Sequence, residues 1–146
     1  MAGGLGTIRL HGWRKGYPLG HLVAHHVGVY QLEKLAVWDS ATTLARVAYR
    51  LTMSRPLSRH VGLADQIRRA ATSVPANLAE GYGLGTTKQF IRCIRIALGS
   101  CYELRVHLEL ARDLEITDPK SLGPVLANTE STIRMLIGML KGLQRR

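Results

Sequence analysis

Seven basic side chains in the middle of the chain have the types and spacing expected of a phosphate-binding surface. They are Arg46, Arg50, Arg68, Arg69, Lys88, Arg92 and Arg95. Guanidinium and ammonium groups hold phosphate oxygens through charge-assisted hydrogen bonds. The steps of four and three residues between the last three place them on one side of a helix. These seven residues are therefore the candidate nucleic-acid-binding residues.

The overall charge points to an anionic partner. The chain has 146 residues, with 20 Lys and Arg against 10 Asp and Glu, which gives a formal net charge of +10 and a pI near 10.3. That balance favours nucleic acid over an acidic small molecule. Many proteins with no nucleic-acid role share it, so ordinary solvated arginines are the competing interpretation.

The glycine-rich loop at residues 81–85 is followed by Lys88, a pattern that invites a phosphate-loop interpretation. A Walker sequence needs GxxxxGK[ST] after a strand, whereas this loop lacks the spacing and follows a helix. The glycines instead suit a left-handed helix end and a tight reversal. Thr86 and Gln89 then have the spacing of a capping box at the start of the next helix.

Other catalytic and metal-binding patterns are missing from the sequence. No nucleophile has a base at recognisable spacing. Glu103 and His107 are four residues apart, but a di-iron bundle site needs carboxylates from several helices and two Glu-x-x-His motifs. His21, His25 and His26 have no Cys or carboxylate at ligand spacing. We therefore expect no enzyme activity, no metal and no cofactor.

Four amphipathic segments must position the basic residues. They are predicted as helices at about residues 35–53, 63–80 and 87–114, and from 119–121 to about 143. The third is the longest and carries an apolar stripe whose steps alternate four and three residues, typical of a helix packed lengthwise on others. The stripe consists of Phe90, Ile94, Ala97, Cys101, Leu104, Leu108 and Ala111. Short connections favour an all-α, antiparallel up-down-up-down four-helix bundle.

The second predicted helix contains Pro75, which removes one backbone N–H and predicts a bend within a single helix. Arg68 and Arg69 are adjacent, so they point about 100° apart. We expect one to face solvent and the other to pair with Glu80, Glu103 or an acid of a neighbouring subunit. Glu103 is accordingly predicted to form a salt bridge between helices or subunits.

Residues 1–31 differ in composition from the bundle segment, residues 32–146. They hold seven of the 15 glycines and three basic residues but no acid, and they show no helical or alternating period. Charged residues interrupt their apolar runs, which argues against a signal peptide. They are predicted to be either a flexible basic arm or translated upstream sequence. No window reaches the roughly 18 apolar residues of a membrane helix.

The two cysteines, Cys93 and Cys101, lie eight residues apart on the third predicted helix. That spacing separates them by about 12 Å along the axis, too far for a disulfide. Unpaired thiols favour a reducing, cytoplasmic location. Cys101 belongs to the apolar stripe, so we expect it to be chemically inert, and no partner for catalysis accompanies Cys93.

Several segments together resemble one known family. They are QIRRAA at 66–71, SVPANLAEG at 73–81, Phe90, IALGS at 96–100, and Glu103 with Leu104. They resemble the "four helix bundle protein" family, first met as reading frames within intervening sequences of bacterial 23S rRNA genes. The resemblance covers roughly residues 32–143. More distantly, the chain is similar to the accessory proteins of diversity-generating retroelements.

The resemblance implies a four-helix bundle that assembles as a homopentamer around a central channel, and it implies no reaction. In this chain Leu84 and Gln89 stand where that family more often has Arg and Glu, which weakens a phosphate-binding role for the loop itself. The broad apolar surface of the third predicted helix is consistent with self-association.

Two functional hypotheses follow. In the first, a basic homo-oligomeric bundle binds structured RNA, or an RNA–protein complex, through the seven basic residues. A more specific version makes it the accessory subunit of a retroelement reverse transcriptase. In the second, the protein is a structural or protein-interaction scaffold whose arginines pair with acids across subunits, with no nucleic-acid role. Neither hypothesis involves a membrane.

Overall fold

The computed structural model describes residues 29–145, and every regular element among them is helical. The α-helices are α1 (Ala36–Met53), α2 (Val61–Gly83), α3 (Thr87–Asp113) and α4 (Pro119–Gln144). Short 3-10 helices precede α1, at Val29–Lys34, and lie between α1 and α2, at Leu57–Arg59. The arm predicted for residues 1–31 lies almost wholly outside the described residues.

The four helices enclose one apolar core. Each helix packs against the next, and α4 closes the arrangement by packing against α1. All seven residues of the stripe predicted on α3 are buried in this core. Ser73 contacts Ser100, and Gly81 contacts Cys93, so α2 and α3 run antiparallel. The all-α class and the four-helix bundle are thus confirmed.

Helix α2 is one continuous helix that includes Pro75, as predicted, but it extends three residues beyond the predicted end. A polar cluster holds it to α3 at the level of the proline. Asn77 Nδ2 donates to the Ser73 carbonyl oxygen at 2.8 Å and to Ser73 Oγ at 2.9 Å. Ser100 Oγ on α3 donates to Ser73 Oγ at 2.9 Å. The reversal comes later, at Gly85, whose φ of 74° is the left-handed conformation that glycine adopts readily.

Side-chain caps fix the first turns of α3 and α4. Thr86 Oγ1 accepts from the Gln89 backbone N–H at 3.3 Å, which confirms half of the predicted capping box. The Gln89 side chain differs from the prediction, because its Oε1 accepts from the Thr86 hydroxyl at 2.7 Å rather than from a backbone N–H. Asp118 caps α4 by accepting from the backbone N–H of Ser121 at 3.2 Å and from its hydroxyl at 2.9 Å.

Asp118→Ala should lower the free energy of unfolding by about 1 kcal/mol, because it removes the carboxylate that accepts from the backbone N–H and the hydroxyl of Ser121 in the first turn of α4. Asp113→Ala is the matched control, since Asp113 forms only an exposed pair with Arg112 at 3.1 Å. Such pairs contribute little, so the control should change stability by less than about 0.5 kcal/mol. Urea denaturation measures both variants, and equal losses would contradict a capping role for Asp118.

Candidate nucleic-acid interface

The structure divides the seven candidate residues between two places on the bundle. The α1–α2 basic group consists of Arg46, Arg50, Arg68 and Arg69, and the α3 basic group consists of Lys88, Arg92 and Arg95. All are exposed except Arg68, which is half-buried. Within residues 29–145, Arg69 is the only one of the seven that forms an ion pair.

The two groups lie near opposite ends of α2. Arg68 and Arg69 lie near its start, and Gly81, which packs against Cys93 of α3, lies near its end. At 1.5 Å per residue, about 18 to 20 Å of helix separates these levels. With one phosphate per roughly 3.4 Å of strand, about five or six phosphates span that distance. A strand segment of five or six nucleotides therefore covers the axial distance between the two groups.

Arg68 is held in place by α1. Its Nε donates to the hydroxyl of Thr52 at 2.7 Å, and its Cζ lies 4.9 Å from the centre of the Tyr49 ring. The Thr52 hydroxyl is fully buried and in turn donates to the Tyr49 carbonyl oxygen. The guanidinium is thus fixed by a neutral hydroxyl and an aromatic ring, and its positive charge is not neutralised by a carboxylate within residues 29–145.

Arg69 pairs with an acid on its own helix rather than with the predicted Glu80 or Glu103, and pairing with an acid of a neighbouring subunit stays a prediction. Its Nε lies 2.9 Å from Asp65 Oδ2, one turn earlier on α2. Glu103, one of those predicted partners, instead lies 3.5 Å from Nε2 of His107, within α3. Within residues 29–145 it makes no pair between helices. Local spacing decides both cases, because residues four apart on a helix are neighbours.

The α3 basic group faces solvent on the first turns of α3. Lys88, Arg92 and Arg95 are exposed, and no carboxylate within residues 29–145 forms an ion pair with them. Backbone N–H groups in the first turn of a helix carry partial positive charge, so Lys88 there costs some stability, whereas Arg92 and Arg95 lie one and two turns further along α3. An anion placed beside this surface would be attracted by both the side chains and the helix end.

The prediction from sequence overlooked Tyr49 and the connection between α1 and α2. Tyr49 is 43% exposed and lies on α1 between Arg46 and Arg50. Arg55 and Arg59 are also exposed, in the connection that follows α1. The sequence did contain a signal, because Tyr49 falls outside the apolar face of α1, with Arg46 three residues before it and Arg50 directly after it. That apolar face consists of Val37, Ala41, Leu44, Ala48 and Leu51.

Neither thiol resembles a nucleophile. Both cysteines are buried, and burial raises the pKa of Cys101 to about 12. Burial also raises the pKa of Cys93, with a further increase from Glu80 and an opposing effect from Arg92. A thiol with a raised pKa stays protonated near neutral pH, and the protonated form is a poor nucleophile.

The described residues provide neither a metal cluster nor a helix suited to span a membrane. Among the described residues, no group of three or more His, Cys, Asp or Glu side chains is arranged to hold a metal ion. None of the helices formed by residues 29–145 combines the length and apolarity that crossing a bilayer requires.

The fold and the exposed cations define a basic four-helix bundle protein. A sequence profile of the 23S rRNA-intervening sequence protein family matches residues 33–138, and the chain belongs to that family. A search of curated proteins found no match. One similar solved structure is a protein of unknown function from the S23 ribosomal protein family of Bacteroides thetaiotaomicron. It has 24% sequence identity and a TM-score of 0.66, over 73% of this chain and 99% of that one, which shows a shared fold.

Proposed function

We propose that this protein is a non-enzymatic, homo-oligomeric bundle, with its helices running up-down-up-down, that binds structured RNA in the cytoplasm. The observation that carries the proposal is the set of exposed cations without carboxylate partners in residues 29–145, on α1 and at the start of α3. The link between the family's name and 23S rRNA supports RNA as the partner.

The proposed oligomer is a homopentamer. The outer side of α3 exposes apolar side chains that its own bundle does not cover, and such a surface favours association with another subunit. They are Ile96, Val106, Leu110 and Leu114, the last just beyond the end of α3. Five subunits of +10 carry about +50, or about +35 without the three basic residues of each 1–31 segment. That charge would bind phosphates with strong salt dependence and little sequence preference.

A narrower form of the proposal makes the bundle an accessory subunit of a retroelement reverse transcriptase. The same basic surface would then hold the RNA template beside the enzyme. Gene neighbourhood separates the two forms, because a reverse transcriptase gene and a variable repeat beside this gene favour the accessory role. An intervening sequence of a 23S rRNA gene favours the general RNA-binding form.

The second candidate function is a protein-interaction scaffold. It is favoured by Arg69, whose charge is already neutralised by Asp65, and by exposed acids such as Glu80 and Glu103. In this form the free arginines of one subunit pair with acids of another, and nucleic acid has no part.

Binding of labelled structured RNA across a salt series tests the proposal, with the mass of the protein in solution measured in parallel. We expect the oligomer to bind tightly at low salt, with affinity falling steeply as salt rises, both with and without residues 1–31. If a correctly assembled oligomer does not bind RNA at low salt, the RNA-binding role is contradicted, and the protein-interaction scaffold becomes the favoured function.

A further inference from the structure

The bundle contains two arginines stacked on tyrosines, and only one of them has its charge neutralised by carboxylates of residues 29–145. Arg68 lies over Tyr49 with 4.9 Å between Cζ and the ring centre, and Arg105 lies over Tyr102 at 5.0 Å. Both rings are partly exposed, at 43% for Tyr49 and 39% for Tyr102. The geometry of the two pairs is thus nearly the same.

The second pair is neutralised by carboxylates. Arg105 Nη1 lies 2.9 Å from Glu130 Oε1, and its Nε lies 3.9 Å from Glu109 Oε1. Two acids therefore share the charge of Arg105, and one of them lies on α4. That arrangement ties α3 to α4, and it leaves little attraction for an external anion.

The first pair keeps its positive charge. Arg68 Nε is held by the buried Thr52 hydroxyl, and within residues 29–145 its Nη groups have no hydrogen-bond partner. Asp65, the acid one turn away on α2, is already bonded to Arg69. On α1, Arg46 precedes Tyr49 by one turn and Arg50 follows it directly, pointing about 100° away, and neither arginine has an acid partner among these residues. A planar cation backed by a ring is therefore presented among further cations.

We propose that Tyr49 and Arg68 form a stacking platform for an unpaired nucleobase, with Arg46 and Arg50 binding the neighbouring phosphates. The inference rests on the proposed nucleic-acid function and narrows it to unpaired nucleotides. Unpaired bases stack on aromatic rings and on arginine planes, whereas bases inside a duplex present no free face. Thr52 is a positioning residue, because it orients the guanidinium without touching the nucleotide.

The test compares Tyr49→Leu with Tyr102→Leu in the full chain. Binding is measured with a fluorescently labelled single-stranded RNA and with a blunt RNA duplex that contains the same strand. We expect Tyr49→Leu to weaken single-strand binding about tenfold and to change duplex binding less than twofold. Tyr102→Leu should leave both affinities unchanged. Tyr49→Phe, which keeps the ring, should restore single-strand binding.

A base analogue reports the stacking itself. An RNA that carries 2-aminopurine should lose fluorescence on binding to the wild type, and less so with Tyr49→Leu or with Arg68→Lys, which keeps the charge but not the plane. If the wild type binds both RNAs and Tyr49→Leu binds the single strand as tightly as the wild type does, the stacking proposal is wrong, but the proposed RNA-binding function is retained. If the wild type binds neither RNA at low salt, the proposed function fails and the platform fails with it.

Discussion

Reversing Arg92 and Arg95 to Glu together should weaken nucleic-acid binding about 100-fold at moderate salt and leave the helix content unchanged. Both side chains are exposed on α3, so the substitutions disturb no buried contact. Each reversal removes a cation that holds a phosphate and adds an anion that repels it. We also expect the slope of log affinity against log salt to become shallower by about two units, since two phosphate contacts are lost.

A control must separate this surface from net charge alone. Arg134 and Lys141 are exposed on α4 and belong to neither basic group, so reversing both to Glu changes the formal charge equally. Binding is measured by anisotropy with labelled RNA, together with circular dichroism and mass in solution. If the α4 variant loses as much affinity as the α3 variant, the net charge of the protein attracts RNA and the α3 surface has no special role. Unchanged RNA binding by the α3 variant would exclude these two arginines.

The helices and the core could be predicted from the sequence because burial follows the helical period. Every apolar residue of the α3 stripe, from Phe90 to Ala111, is buried as the spacing indicates. Boundaries were less accurate at the end of α2. Gly81 and Gly83 suggested an early end, but both lie within α2, where close contact with α3 favours glycine at position 81, and the reversal is at Gly85.

The candidate site was only partly predictable, because its geometry depends on contacts between helices. The sequence identifies Arg68 as basic, but its position is set by Thr52 and Tyr49, sixteen and nineteen residues earlier on α1. The same limit applies to Glu103, whose neighbour within this chain is His107 on α3 and not a residue of another helix, while its pairing across subunits stays a prediction. Spacing along one helix predicts neighbours on that helix, whereas contacts across helices require the packing itself.

Helices α2 and α3 approach each other closely at Gly81. A Cβ atom added there would be 2.5 Å from Cys93 Cβ, 3.1 Å from Phe90 Cδ2 and 3.2 Å from Cys93 Sγ. The first distance is far below van der Waals contact, and a Cβ atom cannot rotate away without moving its backbone. Glycine at this position therefore permits the helices to pack at their observed separation.

Gly81→Ala should lower the free energy of unfolding by about 2 kcal/mol, because α2 and α3 must separate locally to admit the methyl group. The better helix propensity of alanine offsets only part of this cost, since Gly81 lies in the last turn of α2. Gly138→Ala is the matched control, because nothing lies within 4 Å of a Cβ atom at that position of α4. The control should stabilise the protein by about 0.5 to 1 kcal/mol.

A double-mutant cycle identifies the clash as the cause. Cys93→Gly removes the Cβ atom that the methyl group introduced by Gly81→Ala would meet, so the double variant should be more stable than the two single losses predict, by at least about 1 kcal/mol. Urea denaturation of the four proteins gives this coupling energy. Additive losses would mean that Gly81 is needed for a reason other than contact with Cys93, because removing the Cβ atom of Cys93 would then not have reduced the stability lost through Gly81→Ala.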